Sequence, residues 1–442
     1  MTKRIEKCRI SGSTNLLSVL SLGDQALTGV FPASSSTPVT VGPLELVWCP
    51  DSGLLQLAHV YEASEMYGEN YGYRSGLNAS MVRHLTQKIG KLEQFAELAA
   101  GDTVLDIGSN DATSLKAYQT PSLKRIGIDP TGAKFRQYYP DDIKLVPDFF
   151  TARNFDSVSK ERAKIITSIA MFYDLEDPIA FARDIAHCLA ADGVWHFEQS
   201  YMPSMLRLTS YDTICHEHVE YYSLAVVEKI LAAADMKVLD VQMNAVNGGS
   251  FAVTAGHKGT TRKANRAVID WLLSQEERMG LATPRPYREF EERVFRHRED
   301  LRRLLRALRD DGKRIVGYGA STKGNLMVAA YRGVAQEAPV FRAAVSSGDS
   351  AVRTTPDAPV AVAGSWAVSY WAHRDSSTTA LEAPTDVQTR STGTQSGGGR
   401  VTTLLADSGG SVATGTYGGK VATAAATSSY GVTWTVVLVP EG

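Results

Sequence analysis

Seven short apolar segments between residues 103 and 257 constrain the fold of this 442-residue chain most strongly. They read TVLDIG, KRIGID, IKLV, AKIITSIAM, GVWHFEQS, MKVLDVQM and SFAVTAG. Helical periodicity occurs between them, as in EDPIAFARDIAHCLA, where apolar residues recur at Ile179, Ala182 and Ile185. This alternation predicts an α/β fold whose parallel sheet is covered by helices on both faces.

The composition of the chain changes near residue 342. All 13 phenylalanines occur at or before Phe341, and the remainder is rich in Ser, Thr, Gly, Ala and Val. Alternating segments such as RVTTLLAD and VTWTVVLVP predict the antiparallel strands of a β-sandwich. This tail resembles a module of secreted bacterial proteins. Its Trp366, Trp371 and Trp434 are predicted to pack in the core, with carbohydrate binding as the alternative.

Four regions follow from these patterns. Residues 1–68 form a small loop-rich domain, and residues 69–261 form the α/β domain. Residues 262–342 contain two helices, then the strand KRIVGYG and a further helix. Residues 343–442 form the β-rich tail.

Charge and hydropathy exclude several classes of partner. The formal net charge is −2, which argues against nucleic acid or an anionic membrane surface. No apolar run approaches the roughly 20 residues of a membrane helix, and the N-terminus lacks a signal-peptide core. Four cysteines are too few for a disulfide scaffold, so a reducing cytoplasm is the expected compartment.

The segment VLDIGSND is a strand that runs into a glycine turn, where open α/β sheets bind ligands. Gly108 would admit a ligand close to the backbone, and Asp106 would accept a hydrogen bond from an ammonium group. Asp129 ends the next strand, where an acidic side chain takes ribose hydroxyls. Because G-x-G-x-x-G is lacking, we predict S-adenosylmethionine instead of a dinucleotide, with a ligand-free structural domain as the alternative. The predicted cofactor residues are Asp106, Gly108, Asn110, Asp129, Asp148 and Phe149.

Seven segments carry a resemblance to a known family: KCRISGS, LVWCPDSGLLQL, NYGYRSGLN, VLDIGSND, YDTICHEHVEYYSL, NGGSFAV and GYGASTKGN. From residue 1 to about 340 the chain resembles the sugar C-methyltransferases, which methylate a carbon next to the ketone of a nucleotide-linked deoxysugar. The resemblance implies a class I methyltransferase domain with a Rossmann-like seven-stranded sheet. It also implies an N-terminal zinc-binding domain and a C-terminal Rossmann-like domain, which is truncated here.

The HEH segment, residues 211–224, is the most specific of these motifs. Methylation at carbon requires removal of a proton beside the ketone, and histidine suits that task. The resemblance implies that His218 is the base, and Glu217 would orient it or bind sugar. Tyr71 or Tyr73 would stabilise the enolate oxygen. The alternatives are a structural role for the segment and a metal site formed by the His-x-His pair with Cys215.

The substrate residues are predicted on the same resemblance. They are His216, Tyr222, Tyr173, Lys323 and Asn325. The chain departs from the family where Cys215 replaces a tyrosine, Tyr173 a histidine and Ala112 a glycine, which leaves the sugar undetermined. An O- or N-methyltransferase, or a non-catalytic binding protein, are the other functions considered. The turn GYGASTKGN would contact nucleotide phosphate or serve only as a turn.

The two C-x-x-C pairs that bind zinc in the family each keep one cysteine here. They read Cys8-Arg-Ile-Ser11 and Cys49-Pro-Asp-Ser52. Neutral serine is a poor zinc ligand compared with thiolate. We therefore expect a metal-free domain, with Cys8 and Cys49 as residual ligands and His59 as a replacement if zinc does bind.

Overall fold

The computed structural model describes residues 3–27, 40–61, 73–318, 327–331, 340–347, 350–394, 400–428 and 431–440. These residues form two compact units, one ending at Asp300 and the other beginning at Leu301. The units thus divide well before the change of composition near residue 342. Within the described ranges, no helix is both long enough and apolar enough to cross a bilayer.

The first unit contains thirteen strands and nine helices among its described residues, the last helix running on to Asp310. The strands are β1 (Lys3–Arg4), β2 (Leu17–Ala26), β3 (Val41–Trp48), β4 (Leu55–Leu57), β5 (His59–Val60), β6 (Thr103–Ile107), β7 (Lys124–Ile128), β8 (Ile143–Val146), β9 (Ala163–Ile169), β10 (Leu189–Ser200), β11 (Glu220–Tyr221), β12 (Met236–Asn244) and β13 (Ser250–His257). The α-helices are α1 (Ala79–Ala96), α2 (Thr113–Lys116), α3 (Gly132–Phe135), α4 (Ala152–Asp156), α5 (Pro178–Cys188), α6 (Met202–Leu208), α7 (Leu224–Ala233), α8 (Arg266–Met279) and α9 (Arg285–Asp310). Single 3₁₀ turns lie between several of them.

All seven predicted strands are present in one sheet, in the order β12-β13-β10-β9-β6-β7-β8. The prediction of an entirely parallel sheet is wrong in one respect, because β13 runs antiparallel to both β10 and β12. Only residues 245–249 separate β12 from β13, and a parallel connection needs a crossover of a dozen or more residues. The other pairings are parallel.

Burial of the central strands explains their apolar sequences. Every residue of β6 is buried, as expected for a parallel strand covered on both faces. Helix α5 shows how the covering helices begin, because the Asp177 side chain caps it by accepting from the backbone N–H of Ala180 and Pro178 occupies its first turn. Its Phe181, Ala182 and Ile185 are then buried.

The N-terminal strands form an antiparallel sheet that includes a strand from the HEH segment. Its order is β11-β4-β3-β2, and Glu220 and Tyr221 of β11 pair with Gln56 and Leu55 of β4. The HEH segment is therefore fixed between the N-terminal sheet and the α/β core, through a pairing of residues far apart in sequence.

The second unit is antiparallel β-structure, as predicted for the tail. Its strands are β14 (Arg314–Tyr318), β15 (Met327–Tyr331), β16 (Val340–Ser347), β17 (Ser350–Thr354), β18 (Ala358–Val360), β19 (Trp366–Asp375), β20 (Gln388–Thr394), β21 (Arg400–Asp407), β22 (Gly415–Tyr417), β23 (Val421–Ser428) and β24 (Gly431–Leu438). A five-stranded sheet, β16-β24-β19-β21-β20, accompanies the pairs β17-β23 and β18-β22. Trp371 is fully buried against Ala422 and Ala424 of β23, which fits core packing better than carbohydrate binding.

The helix predicted after the strand KRIVGYG is wrong for residues 327–331. These residues form β15, which pairs antiparallel with β14. Only eight residues connect the two strands, too few for the helical crossover that a parallel Rossmann-like pair requires. The described part of 312–342 therefore shows no doubly wound unit.

Candidate active site

Asp106 lies near the end of β6, at the floor of a cavity. Its side chain is buried, and its Oδ1 accepts a hydrogen bond from the Thr167 hydroxyl at 2.6 Å. Burial raises the pKa of Asp106 to about 7, although the hydrogen bond from Thr167 opposes the shift. A cation bound next to a buried carboxyl group of this kind stabilises its ionised form, which fits the ammonium group predicted for Asp106.

The turn after β6 brings its backbone close to the cavity. Gly108 has φ +69°, and a Cβ built there would lie 3.3 Å from Cγ of Met171. A larger residue would be strained in backbone and would crowd the cavity wall. Asn110 also has positive φ, at 48°, a conformation that asparagine tolerates better than most residues.

Asp129 follows β7 and anchors the same turn. Its Oδ2 accepts from the backbone N–H of Asn110 at 2.7 Å, and its Oδ1 accepts from the backbone N–H and hydroxyl of Thr131, both at 2.6 Å. The carboxylate is buried at the strand end, where the predicted ribose contact requires it.

These residues line one cavity of about 350 Å³, large enough for a nucleoside ligand. Five of the six predicted cofactor residues are brought together there: Asp106, Gly108, Asn110, Asp129 and Phe149. Asp148 is not among the lining residues. Its carboxylate holds the following turn, accepting from the N–H of Phe149 and the side-chain amide of Asn154. Phe150 takes its place on the wall beside Phe149.

A segment preceding α1, residues 73–78, contributes to the wall of the cavity and is called the strap here. Tyr73 and Ser75 line the cavity. Asn110 holds the strap in two directions, because its Oδ1 accepts from Ser75 N–H at 3.0 Å and its amide donates to the Tyr73 carbonyl at 3.1 Å. Asp111 accepts from Gly76 N–H at 3.0 Å. Sequence reasoning missed Asp111, although it completes the SND motif.

A buried charge cluster fixes α1, another element that sequence reasoning missed. Glu198 of β10 accepts from His84 Nε2 and from Lys88 Nζ, each at 2.7 Å, and from the Asn244 amide at 2.7 Å. Burial opposes ionisation, but the His84 and Lys88 contacts lower the pKa of Glu198 to about 2. Because Met81 and Leu85 of α1 line the cavity, this cluster also positions its wall.

His218 is buried beside the cavity wall and does not line the cavity itself. Its Nδ1 lies 3.0 Å from the Thr213 carbonyl, so Nδ1 carries the proton and donates. The Tyr173 ring packs on the imidazole with centroids 4.1 Å apart. Asp174, the next residue, lines the cavity, so one short turn separates His218 from the cofactor region.

Residues 215–218 form a turn in which His218 N–H donates to the Cys215 carbonyl at 3.2 Å. The turn gathers Cys215, Glu217 and His218, and one ligand-type atom from each lies within 4.8 Å of the others. His216 points elsewhere, with its ring against Tyr61 and its Nε2 3.4 Å from the Gly42 carbonyl. The two rings of the His-x-His pair therefore do not converge on one point.

Tyr222 also departs from its predicted substrate role. It is completely buried, its ring stacks on Phe172 at 5.2 Å, and its hydroxyl donates to Glu220. It is a core residue, packed in the same buried cluster as Phe172 and Phe197. Three other predicted residues, Tyr71, Lys323 and Asn325, lie outside the described residues.

The four positions of the two C-x-x-C-like pairs converge in the N-terminal domain. Cys8 Sγ lies 3.2 Å from the Ser52 hydroxyl, and Cys49 Sγ lies 3.6 Å from the Ser11 hydroxyl. We call these four residues the N-terminal tetrad. Burial opposes ionisation of Cys8, but hydrogen bonds from Ser11 and Ser52 lower the pKa of its thiol. Two thiols and two neutral hydroxyls do not fit Zn²⁺, which takes thiolate or imidazole at structural sites.

The sheet order, the acidic strand ends and the glycine turn define the class of protein: an S-adenosylmethionine-dependent methyltransferase with a class I fold. Three family models match in succession, "Putative zinc binding domain" at residues 8–67, "Methyltransferase domain" at 81–241 and "C-methyltransferase C-terminal domain" at 245–344. These three matches follow one another along residues 8–344, in the domain order that the resemblance to sugar C-methyltransferases implies.

The chain is similar to C-methyltransferase NovU of Streptomyces niveus, with 29% identity over 75% of this chain and 79% of that protein. Solved structures with a similar domain include a methyltransferase from Clostridium acetobutylicum, 13% identical over 40% of this chain and 92% of that one, with TM-score 0.32. Another is magnesium protoporphyrin IX methyltransferase from Synechocystis, 11% identical over 41% and 88%, with TM-score 0.32.

Binding of S-adenosylhomocysteine should release a proton from Asp106 below pH 7. The pKa of Asp106 is about 7 in the folded protein and lower in the unfolded chain, so its protonated form stabilises the fold at low pH and this contribution is lost as pH rises through 7. The cationic amino group of the ligand favours the carboxylate. Calorimetry in buffers of different ionisation enthalpy should therefore detect release at pH 6 and almost none at pH 8. Asp106→Asn should abolish the difference, and equal proton release at both pH values would remove Asp106 from the ammonium site.

Asp111→Ala should speed both association and dissociation of S-adenosylhomocysteine several-fold. The substitution removes the acceptor for the Gly76 N–H and so frees the strap at the cavity wall. Asp111→Asn keeps an acceptor and should stay near the wild-type rates. Asp142→Ala, at an exposed surface ion pair, is the matched control. Stopped-flow binding separates the two rates. Faster dissociation with unchanged association would show a lost contact instead of a freed strap.

The tetrad should bind zinc only after its serines are replaced. Ser11→Cys/Ser52→Cys should carry about one zinc per chain after dialysis against a chelator, since it restores four thiolates. The wild-type chain should carry almost none after the same treatment. Ser18→Cys/Ser21→Cys adds two exposed thiols elsewhere and should remain metal-free. Elemental analysis measures the zinc bound per chain. Stoichiometric zinc in the dialysed wild type would contradict the prediction.

Proposed function

We propose that this chain methylates the carbon next to the ketone of a nucleotide-linked keto-deoxysugar. The observation that carries the proposal is the placement of His218, whose Nδ1 is held by the Thr213 carbonyl while Tyr173 packs on its ring. Nδ1 is thereby fixed as the donor, so Nε2 is the nitrogen with the lone pair. A buried imidazole in a fixed tautomer is well suited to act as a general base.

His218 would remove the proton from the carbon beside the ketone. The C–H bonding pair becomes the enolate, and the proton stays on Nε2. The enolate carbon then forms the new C–C bond, and the His218 proton is returned to solvent. When bound, S-adenosylmethionine supplies a methyl group on a positively charged sulfur, which leaves with the bonding pair.

The residues of the cavity would hold the cofactor in place for this step. Asp106 would take its ammonium group, Asp129 its ribose hydroxyls, and Phe149 would flank its adenine. Tyr73, on the strap at the cavity wall, would donate a hydrogen bond to the enolate oxygen. The ordinary pKa of a tyrosine is about 10, so the Tyr73 hydroxyl is protonated and able to donate near neutral pH.

The choice of carbon as the methyl acceptor is supported by the similarity to a C-methyltransferase over three quarters of the chain. The choice of a nucleotide-linked sugar is supported by the seven motifs of the family resemblance. Mass spectrometry of products from a panel of nucleotide keto-sugars tests both. A methylated oxygen or nitrogen in the product, or no product from any ketone, would overturn the proposal.

His218→Asn should lower turnover at least about a hundredfold and leave S-adenosylhomocysteine affinity nearly unchanged, as expected for loss of a general base outside the cofactor cavity. Exchange of the substrate's alpha deuterium into solvent, measured with S-adenosylhomocysteine in place of the methyl donor, should fall equally. His216→Asn is the matched control, because His216 packs against Tyr61. It should retain exchange. If His218→Asn still exchanges deuterium normally, another residue is the base.

A further inference from the structure

The turn at residues 215–218 places three side chains of metal-ligand type together, apart from the N-terminal tetrad. The hydrogen bond from His218 N–H to the Cys215 carbonyl closes the turn, so the first and last side chains lie side by side. Glu217 completes the group, and one ligand-type atom from each of the three residues lies within 4.8 Å of the others. Cys215 and His218 are buried and Glu217 is half-buried, so the group has one side toward solvent.

The imidazole of His218 is already oriented as a metal ligand. Metal-binding histidines donate one ring N–H to a carbonyl or carboxylate, which fixes the ring and leaves the other nitrogen to coordinate. In this structure the Thr213 carbonyl at 3.0 Å takes Nδ1–H. Nε2 is then the coordinating atom.

The chemistry of the three donors selects the kind of ion. A thiolate and an imidazole favour borderline cations such as Zn²⁺ and Co²⁺ over Mg²⁺ or Ca²⁺, which prefer oxygen alone. Thiolate and carboxylate together carry the two negative charges that balance a divalent ion. In a tetrahedral site with bonds of 2.0–2.3 Å, donors lie roughly 3.3–3.7 Å apart, so a contraction of about 1 Å suffices.

We propose that Cys215, Glu217 and His218 bind one Zn²⁺ or Co²⁺, with water in the fourth position, and that the ion inhibits methyl transfer. On binding, the Cys215 thiol loses its proton to solvent and its sulfur forms a bond to the metal. The inhibition rests on the proposed function, because coordination occupies the Nε2 lone pair that proton removal requires. The binding itself does not rest on it.

This site differs from the tetrad in ligand set and in lability. Three protein ligands with an open fourth position bind metal less permanently than a closed structural site. A chelator should therefore remove the ion readily, and inhibition should be reversible. The site also depends on Cys215, where the family resemblance would place a tyrosine, so it is a property of this chain.

The binding test is titration of the chelator-treated full chain with Co²⁺. A thiolate bound to Co²⁺ gives an intense charge-transfer absorption, which reports sulfur coordination directly. The wild type should develop this band with one equivalent, and Cys49→Ser, the matched control in the tetrad, should do the same. Cys215→Ser should lack the band, and Glu217→Gln should need at least about tenfold more Co²⁺ because a charged ligand is lost.

Three results would overturn the binding proposal: no band in the wild type, a band that persists in Cys215→Ser, or a band that disappears in Cys49→Ser. If Cys215→Ser fails to fold, the Glu217→Gln titration still decides. None of these measurements requires a sugar substrate, so they remain decisive even if the proposed function fails.

The inhibition test uses a keto-sugar that the wild type methylates. Zn²⁺ should inhibit the wild type and a chelator should restore its turnover. Cys215→Ser should tolerate at least about tenfold more Zn²⁺. Turnover that is unchanged when the Co²⁺ band shows a fully occupied site would overturn inhibition while leaving binding intact.

Discussion

The carboxylate of Asp129 organises the cofactor end of the central sheet. It takes the backbone N–H groups of Asn110 and Thr131 and thereby joins the turns that follow two neighbouring strands. Asn110 is held in a left-handed conformation by that contact, and its side-chain amide then reaches the strap. One buried acid thus fixes the turn beside the cavity directly and the strap through Asn110.

The HEH segment owes its position to a different contact. Its strand β11 pairs with β4 of the N-terminal sheet, about 165 residues earlier in the chain. The N-terminal domain therefore contributes to the candidate catalytic region, although none of its described residues lines the cofactor cavity. Its tetrad lies in the same domain, where two thiol–hydroxyl hydrogen bonds stand in place of metal bonds. Sulfur–hydroxyl hydrogen bonds are weak, so the buried apolar side chains of the N-terminal sheet, such as Leu46 and Trp48, contribute more to holding this domain together.

Cysteine and histidine occur at two places with opposite consequences for metal binding. In the tetrad, the geometry of a four-ligand site is present and half of the ligands are missing. In the turn at residues 215–218, three ligands of suitable chemistry are gathered by local backbone geometry. The tetrad lacks suitable chemistry, because two of its four residues are serines. The turn at residues 215–218 depends on tertiary placement, because the Thr213 carbonyl must also orient His218.

The sequence alone determined the seven strands, the glycine turn and the acids at the strand ends. Apolar periodicity and the position of a residue at a strand terminus are local properties, so Asp106, Gly108, Asn110 and Asp129 were predicted together and lie together. The direction of β13 was missed because strand pairing is not encoded in its apolar pattern, and only the short connection to β12 excludes a parallel arrangement. The helix expected near residue 327 failed for the same reason, since a short apolar segment fits helix or strand and its pairing partner decides.

Only the tertiary structure decided where side chains of the HEH segment point. The sequence does not indicate the directions of His216, His218 and Tyr222. In the structure, His218 contacts Tyr173 and His216 packs against Tyr61. Tyr222 is buried in the core. Residues two apart share one face of an extended strand, but residues 215–218 form a turn, so His216 and His218 point in different directions. The position of that turn depends on the pairing of β11 with β4. The strap and the Glu198 cluster are likewise contacts between distant segments. Their hydrogen bonds form only after the chain is folded, so composition and spacing could not reveal them.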